Sequence, residues 1–336
     1  MLPAGADRRT LLKSFAAATT LAGAGEAAAA PRPPARALQG LFPIAFTPVT
    51  SDDKVDFDGL AAQVAFCRKG GVHGIAWPQI ASGWKSLSEA DRTHGAEVMV
   101  SAAKGGRTAV VLGVQRPDFA AVERYAKQAE RLGADAIICI PPEGVTDPGA
   151  LLDYYQKVGR MTALPLFIQT MDPMSVDLLV KMFETIPTFR HVKDEAGEPL
   201  ERVTELRRRT NDQLSVFSGR GVQTQITELE LGFKGQCPTV SLADVFAAAF
   251  DLFQAGRKQE AFNHFGAIMA AGSMFSTGSA DVLIARGVFK PGTRTRSMST
   301  APSPGSAARR RPFFGARDPA AISLVLKQYL GPYLRA

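Results

Sequence analysis

The sequence predicts an α/β protein, a (β/α)8 TIM barrel with a C-terminal helical extension. Eight short apolar runs alternate with helical patterns between residues 38 and 257. The runs are continuously apolar, which is typical of parallel strands buried on both faces. A chain of 336 residues with 46% hydrophobic residues can build a barrel of this size. An open doubly wound sheet is the alternative, but no G-x-G-x-x-G motif follows the first run to support it.

Each apolar run is followed by a helical pattern, and several of these patterns have recognisable start or stop signals. The first run, LFPIAFTPV at 41–49, precedes a helical pattern that stops at Gly70. Ser88 and Asp91 predict a capping box for the second helix, and Pro148 is expected in the first turn of the fourth. The other runs are GIAWP (74–78), TAVVLGV (108–114), AIICIPP (136–142), LPLFIQT (164–170), FRHVK (189–193), LSVFSG (214–219) and KGQCPTVS (234–241).

Two further segments flank the barrel, which is assigned residues 37–257. Residues 1–36 predict a twin-arginine-type signal peptide with a linker, because paired arginines precede a mildly apolar, alanine-rich run and EAAAAP. This predicts export to the periplasm; a disordered leader is the alternative. Residues 258–336 predict C-terminal helices interrupted by a disordered basic loop at 291–316, which is rich in Pro, Ser, Arg and Gly.

The formal charge of +7 lies outside the barrel. Residues 1–36 carry +3, 290–317 carry +7 and 318–336 carry +1, which leaves −4 for residues 37–289. A slightly acidic body is not typical of a nucleic-acid-binding domain. No uncharged run of about 18 residues has the hydropathy of a membrane span, so stable membrane insertion is not expected. The three cysteines are widely separated and predict neither a zinc site nor a disulfide framework.

Lys193 is the one strong nucleophile at the predicted catalytic face. Catalytic groups of a (β/α)8 barrel come from the C-terminal ends of its strands, and Lys193 ends the sixth run. An apolar barrel disfavours the charged ammonium, and a neutral amine can attack a carbonyl to form a Schiff base. A solvated lysine, or one paired with Asp194 or Glu195, is the alternative that spacing leaves equally open.

Five segments resemble, in order, the dihydrodipicolinate synthase / N-acetylneuraminate lyase family over about residues 38–290. They are FPIAFTPVTSDDKVDFDGLAAQV, GVHGIAWPQIASGWKSLSEADR, ERLGADAIICIPP, HVKDEAG and VFSG. The resemblance implies a (β/α)8 barrel that is usually a homo-oligomer. It also implies a Schiff base between a strand-6 lysine and a 2-oxo acid such as pyruvate, without metal or organic cofactor. HVKDEAG places Lys193 in the position of that lysine.

The sequence departs from this family around the lysine. The family's G-[TS]-T-G-E motif, which holds the keto-acid carboxylate, is IASGW at 80–84 here. The family's tyrosine relay is not visible after strand 4 (IPPEGVTDP) or strand 5 (IQTMDP), and Tyr154 and Tyr155 are expected to pack in a helix. The candidate substrate-binding residues are Ser82, Gly83, Ala81, Thr47, Gln169 and Ser218. The candidate proton-relay residues are Glu143, Thr146 and His191, the last of which shares a strand face with Lys193.

Three functions remain as hypotheses. The first is an exported class I lyase or aldolase that makes or breaks a C–C bond of a 2-oxo acid through Lys193. The second is the 4-hydroxy-tetrahydrodipicolinate synthase reaction proper, which predicted export disfavours because its substrates belong to the cytoplasm. The third is a non-catalytic periplasmic barrel that binds a 2-oxo acid, motivated by the missing tyrosines.

Overall fold

Eight parallel strands form a nearly closed barrel surrounded by helices, which confirms the predicted fold class. The structure is a computed structural model that describes residues 38–220, 222–296 and 317–336. The barrel strands are β1 (Gly40–Leu41), β2 (Gly74–Trp77), β3 (Ala109–Gly113), β4 (Ala136–Cys139), β5 (Leu166–Gln169), β6 (Phe189–Asp194), β7 (Ser215–Ser218) and β8 (Gly235–Gln236). They pair in the order β1-β8-β7-β6-β5-β4-β3-β2.

The helices follow the strands in the alternation that the sequence predicts. In the part of the chain that the structure describes, no helix is both long and apolar enough to cross a membrane. The helices of the barrel are α1 (Phe57–Lys69), α2 (Glu89–Ala103), α3 (Phe119–Leu132), α4 (Pro148–Val158), α5 (Val176–Thr185), α6 (Pro199–Arg209), α7 (Gln225–Leu231) and α8 (Ala243–Gln254). The C-terminal extension contains α9 (Lys258–Gly272), α10 (Ala280–Ala285) and α11 (Pro319–Val325).

The first apolar run is not one continuous strand. Between β1 and Pro48, Ile44 makes isolated bridges to Ala76 of β2 and to Thr239 after β8. Pro43 and Pro48 interrupt the run, and a proline has no N–H to donate to a ladder. Short pairing and the single bridge at Ile44 therefore close the barrel between β1 and β2.

Predicted helix starts are confirmed at two positions. The Ser88 hydroxyl accepts a hydrogen bond from the Asp91 N–H at 3.0 Å, and the Asp91 carboxylate accepts one from the Ser88 N–H at 3.4 Å. Pro148 is the first residue of α4. The capping box supplies acceptors for N–H groups of the first helical turn, and Pro148 has no N–H that would need one.

Two apolar clusters form the core. The outer cluster fills the space between the strands and the helices. The inner cluster lies within the barrel, and its largest side chains are Phe42, Phe167 and Phe217, whose rings meet at centroid distances of 5.1 to 6.1 Å. This aromatic plug makes the barrel interior a packed core and leaves chemistry to the strand ends above it.

The basic segment after α10 differs in part from the sequence prediction. Residues 291–296 are not a free loop, because Arg294–Thr295 pairs antiparallel with Pro48–Val49. Arg296 adds a backbone hydrogen bond to the Thr47 carbonyl at 2.8 Å and an ion pair with Asp53 at 2.7 Å. These partners lie far away in sequence, so local composition could not reveal them. The predicted signal peptide at 1–36 and the remainder of the predicted loop, 297–316, lie outside the described residues.

The C-terminal extension is tied to the barrel by a buried ion pair. Arg286 donates to both carboxylate oxygens of Asp244 at 2.6 and 2.7 Å, and both side chains are almost fully buried. The same carboxylate accepts from the backbone N–H groups of Arg335 and Ala336. The Asp244 carboxylate therefore connects three parts of the chain that are distant in sequence: α8, the end of α10, and residues 335–336.

We predict that Asp244→Asn lowers the free energy of unfolding by about 3 kcal/mol or more, because it removes the carboxylate that pairs with the buried Arg286 charge. Urea titration would measure the change. The matched control is Glu230→Gln, which breaks the half-exposed Lys258–Glu230 pair at 2.8 Å and should cost less than about 1 kcal/mol. Equal effects from the two substitutions would contradict the proposed anchoring role.

Candidate active site

Lys193 lies at the C-terminal end of β6 with its side chain inside the barrel. It is in register with Gln169 of β5 and Phe217 of β7. Alternation along a strand places His191 on the same face, and the His191 ring stacks on Phe167 in the inner cluster. Only 5% of the Lys193 side chain is exposed. The amine is thus enclosed just above the aromatic plug, at the end of the barrel where the sequence predicts chemistry.

The next residue, Asp194, points outward and fastens the strand end. Its carboxylate accepts a hydrogen bond from the Thr170 hydroxyl at 2.8 Å and lies 3.2 Å from Arg202 Nε. Burial raises the pKa of this carboxyl group, while Arg202 and Thr170 counteract the rise. Asp194 therefore serves the wall of the barrel and does not face the same side as Lys193.

Thr170 also sets the path of the chain after β6. Its hydroxyl oxygen accepts hydrogen bonds from the backbone N–H groups of Glu195 at 2.7 Å and Ala196 at 3.0 Å. With the bond it donates to Asp194, the hydroxyl holds three groups of the turn at once. This turn brings the Glu195 side chain back over the mouth of the barrel.

Glu195 forms an ion pair with Lys193. The distance from Lys193 Nζ to Glu195 Oε1 is 3.0 Å, and Gln169 Nε2 donates to Glu195 Oε2 at 2.8 Å. The Glu195 side chain is 26% exposed, so it lies between the enclosed amine and solvent. The sequence names Glu195 as one possible partner of Lys193, and the structure shows this pairing. The role of Lys193 as a nucleophile stays a prediction.

Two predicted substrate-binding residues, Thr47 and Ser82, are joined to each other below the strand-2 loop. The Thr47 hydroxyl donates to the Ser82 carbonyl at 2.8 Å and accepts from the Trp77 indole at 2.9 Å. The Ser82 hydroxyl donates to the Ala45 carbonyl at 2.6 Å and accepts from the Gln79 N–H at 3.0 Å. Both hydroxyls are buried and already have partners, so in this state they hold the loop in place.

The rest of the strand-2 loop lies against the barrel interior. Ala81 is partly buried and packs on the inner cluster, and Gly83 adopts a left-handed conformation with φ 65° that turns the chain into the next short helix. Trp84 follows and is only 5% exposed. The assignment of Ala81, Ser82 and Gly83 to a carboxylate site stays a prediction.

Ser218 lies at the end of the strand next to β6 and contacts α7. It ends β7, in register with Asp194, and its hydroxyl donates to Glu228 Oε1 at 2.7 Å. Thr224 donates to the same oxygen at 2.8 Å. Burial raises the pKa of the Glu228 carboxyl group, and these two hydrogen bonds counteract the rise. Ser218 thus anchors α7 to the strand end, and its substrate-binding role stays a prediction.

Two predicted relay residues lie at the surface. Glu143 is exposed and pairs with Lys85 at 2.6 Å, and Thr146 is exposed in the loop after β4. The third, His191, is 3% exposed, and burial lowers the pKa of its imidazole to about 3. His191 is therefore neutral near pH 7 and enclosed by rings. The structure does not bring Glu143, Thr146 and Lys193 into one contact group.

The tyrosines near β4 pack as the sequence predicts. Tyr154 and Tyr155 lie in α4, where the Tyr155 hydroxyl donates to the Cys139 carbonyl at 3.4 Å and the Tyr154 hydroxyl lies 3.3 Å from Cys139 Sγ. Burial raises the pKa of both phenols. Within residues 38–220, 222–296 and 317–336, no group of three or more His, Cys, Asp or Glu side chains is placed to hold a metal ion.

The fold and the site together define a (β/α)8 barrel with an enclosed amine at its catalytic face. The model of the dihydrodipicolinate synthetase family matches residues 37–271. The chain belongs to that family, at low identity to its characterised members. Among curated proteins it is similar to the 4-hydroxy-tetrahydrodipicolinate synthase of Methanosarcina mazei, 25% identical over 187 residues. That match covers 54% of this chain and 63% of the relative, so the chain spans less than two thirds of the relative's length.

Solved structures agree with the fold. The dihydrodipicolinate synthase of Rhodopseudomonas palustris superposes with a TM-score of 0.69 at 23% identity, covering 86% of this chain and 97% of that chain. The N-acetylneuraminate lyase of Mycoplasma synoviae gives a TM-score of 0.69 at 21% identity, covering 88% and 98%. At these identities the likeness establishes the barrel architecture.

We predict that His191 makes stability depend on pH. Its pKa is about 3 in the folded chain against an ordinary 6.5, so its neutral form is favoured by folding. The contribution of the buried neutral ring to the free energy of unfolding is complete above pH 6.5 and is lost as the pH falls toward 3. We expect urea unfolding to show that the free energy of unfolding falls more steeply with falling pH for wild type than for His191→Leu. The difference in slope should reach about 1.4 kcal/mol per pH unit between pH 6.5 and 3. Parallel pH profiles would contradict the enclosure of the ring.

Proposed function

We propose that this protein is a class I lyase or aldolase that makes or breaks a C–C bond of a 2-oxo acid through a Schiff base on Lys193. The observation that carries the proposal is the enclosed Lys193 amine at the C-terminal end of β6. Membership of the dihydrodipicolinate synthetase family supports the reaction class. The Lys193 amine activates the substrate by forming the imine, which is the electron sink of the reaction. The proposed mechanism therefore uses no metal or organic cofactor.

The surroundings of Lys193 suit a small, polar carbonyl compound. Gln169 Oε1 is buried and has no hydrogen-bond partner among the described residues, which leaves an acceptor for a substrate hydroxyl or for the protonated imine. The aromatic plug below the amine limits how deeply a substrate can enter. We propose that the carboxylate of the 2-oxo acid lies toward Ala81, Ser82 and Gly83, where backbone groups of the loop would meet it.

The proposed setting is the periplasm, with the protein as a homo-oligomer. The twin-arginine-like leader motivates the location, and the oligomer follows what the family resemblance implies. Export favours a lyase acting on an imported or scavenged 2-oxo acid over the biosynthetic synthase reaction. The non-catalytic binding barrel is the second candidate, and it is favoured by the tyrosine relay that is not visible after β4 and β5.

We predict that sodium borohydride traps pyruvate, or another 2-oxo acid from a small panel, on Lys193. Reduction converts the imine to a stable secondary amine, and peptide mass spectrometry locates the adduct. Lys193→Met should lose the adduct completely. Lys85→Met is the matched control, because Lys85 lies in the strand-2 loop but is exposed and paired with Glu143; it should retain full labelling. Absence of any adduct on folded wild-type protein would contradict the lyase proposal and favour the binding barrel.

A further inference from the structure

We propose that Glu195 is the acid–base catalytic residue of this site, in place of the tyrosine relay that the sequence lacks. The inference rests on the proposed function, because it assigns the proton transfers of the Schiff-base reaction at Lys193. Glu195 Oε1 lies 3.0 Å from Lys193 Nζ, within the distance for direct proton transfer. Its 26% exposure gives the carboxyl group access to solvent protons.

Three independent contacts position the Glu195 carboxylate. Gln169 Nε2 donates to its second oxygen at 2.8 Å, and the Thr170 hydroxyl fixes its backbone N–H at 2.7 Å. The third contact is with Gly219 after β7. A Cβ atom at Gly219 would lie 2.1 Å from Glu195 Oε1 and 2.3 Å from its Cγ. The carboxylate thus occupies space that only glycine leaves free.

The other carboxyl and imidazole groups near the mouth are less suited to this role. Glu143 is paired at the surface with Lys85, and His191 is enclosed between aromatic rings.

Asp194 faces outward to Thr170 and Arg202. Glu228 is held by Ser218 and Thr224 and is 1% exposed. Of these groups, Glu195 is the one that contacts the Lys193 nitrogen, at 3.0 Å.

The proton transfers balance with one carboxyl group. The Lys193 ammonium gives a proton to the Glu195 carboxylate, and the resulting amine attacks C2 of the 2-oxo acid while the carbonyl electron pair moves to oxygen. Glu195 relays a proton from nitrogen to that oxygen to give the neutral carbinolamine. It then donates its proton to the departing hydroxyl, so water leaves and a protonated imine remains. As a carboxylate again, Glu195 accepts a C3 proton, and the C–H electron pair forms the enamine.

The test is Glu195→Gln, which keeps the shape of the side chain but cannot carry a proton. Two readouts are taken with pyruvate: borohydride trapping at long incubation, and exchange of the pyruvate C3 protons in D2O followed by NMR. We expect the Lys193 adduct to form to the same final extent and the exchange rate to fall by about 100-fold or more. Glu198→Gln is the matched control, because Glu198 is an exposed carboxylate that pairs with Arg220 at 3.4 Å; its exchange rate should equal that of wild type.

A second variant tests the same role without altering the carboxyl group. Gly219→Ala should displace the flexible end of Glu195 from Lys193, and it should reduce exchange while the adduct persists. Exchange in Glu195→Gln within about 10-fold of wild type would overturn the assignment, whatever the Gly219 variant does. Loss of trapping in wild-type protein would instead overturn the proposed function, so the two failures are distinguishable.

Discussion

The alternation of side chains along β6 is the constraint on which the site depends. Lys193 faces the barrel interior, Asp194 faces the wall, and Glu195 returns to the interior where the strand ends. The Thr170 hydroxyl makes this arrangement rigid, since it binds the outward carboxylate and the backbone of the turn together. A substitution that loosened this hydroxyl would disturb both the wall of the barrel and the contact between amine and carboxylate.

The enclosure of Lys193 explains why a partner is needed. Moving an isolated ammonium out of water is unfavourable, and a carboxylate at 3.0 Å offsets that cost. In the proposed mechanism, the same carboxylate accepts a proton from the amine when a carbonyl compound arrives. One ion pair would therefore both stabilise the resting site and prepare it for the proposed reaction. This proposed dual role would explain how a family member without a visible tyrosine relay could still use the lysine.

The sequence predicts the barrel well because eight buried parallel strands and their helix signals are local patterns. It also predicts Lys193, since a lysine at a strand end is visible in the order of residues. The proposed relay residue could not be identified this way, because the position of Glu195 depends on Thr170 and on the space left by Gly219, which are distant in sequence. The i, i+2 spacing of Lys193 and Glu195 was the one available signal. Pairing of residues 294–295 with 48–49 was missed for the same reason.

A crystal structure of the protein reduced with borohydride in the presence of pyruvate tests the central claim most directly. The account predicts continuous electron density from Lys193 Nζ to C2 of the bound acid. It also predicts the Glu195 carboxylate within hydrogen-bond distance of the new secondary amine, with Gln169 still donating to it. An unmodified Lys193 still paired with Glu195, with pyruvate bound elsewhere or absent, would contradict the account.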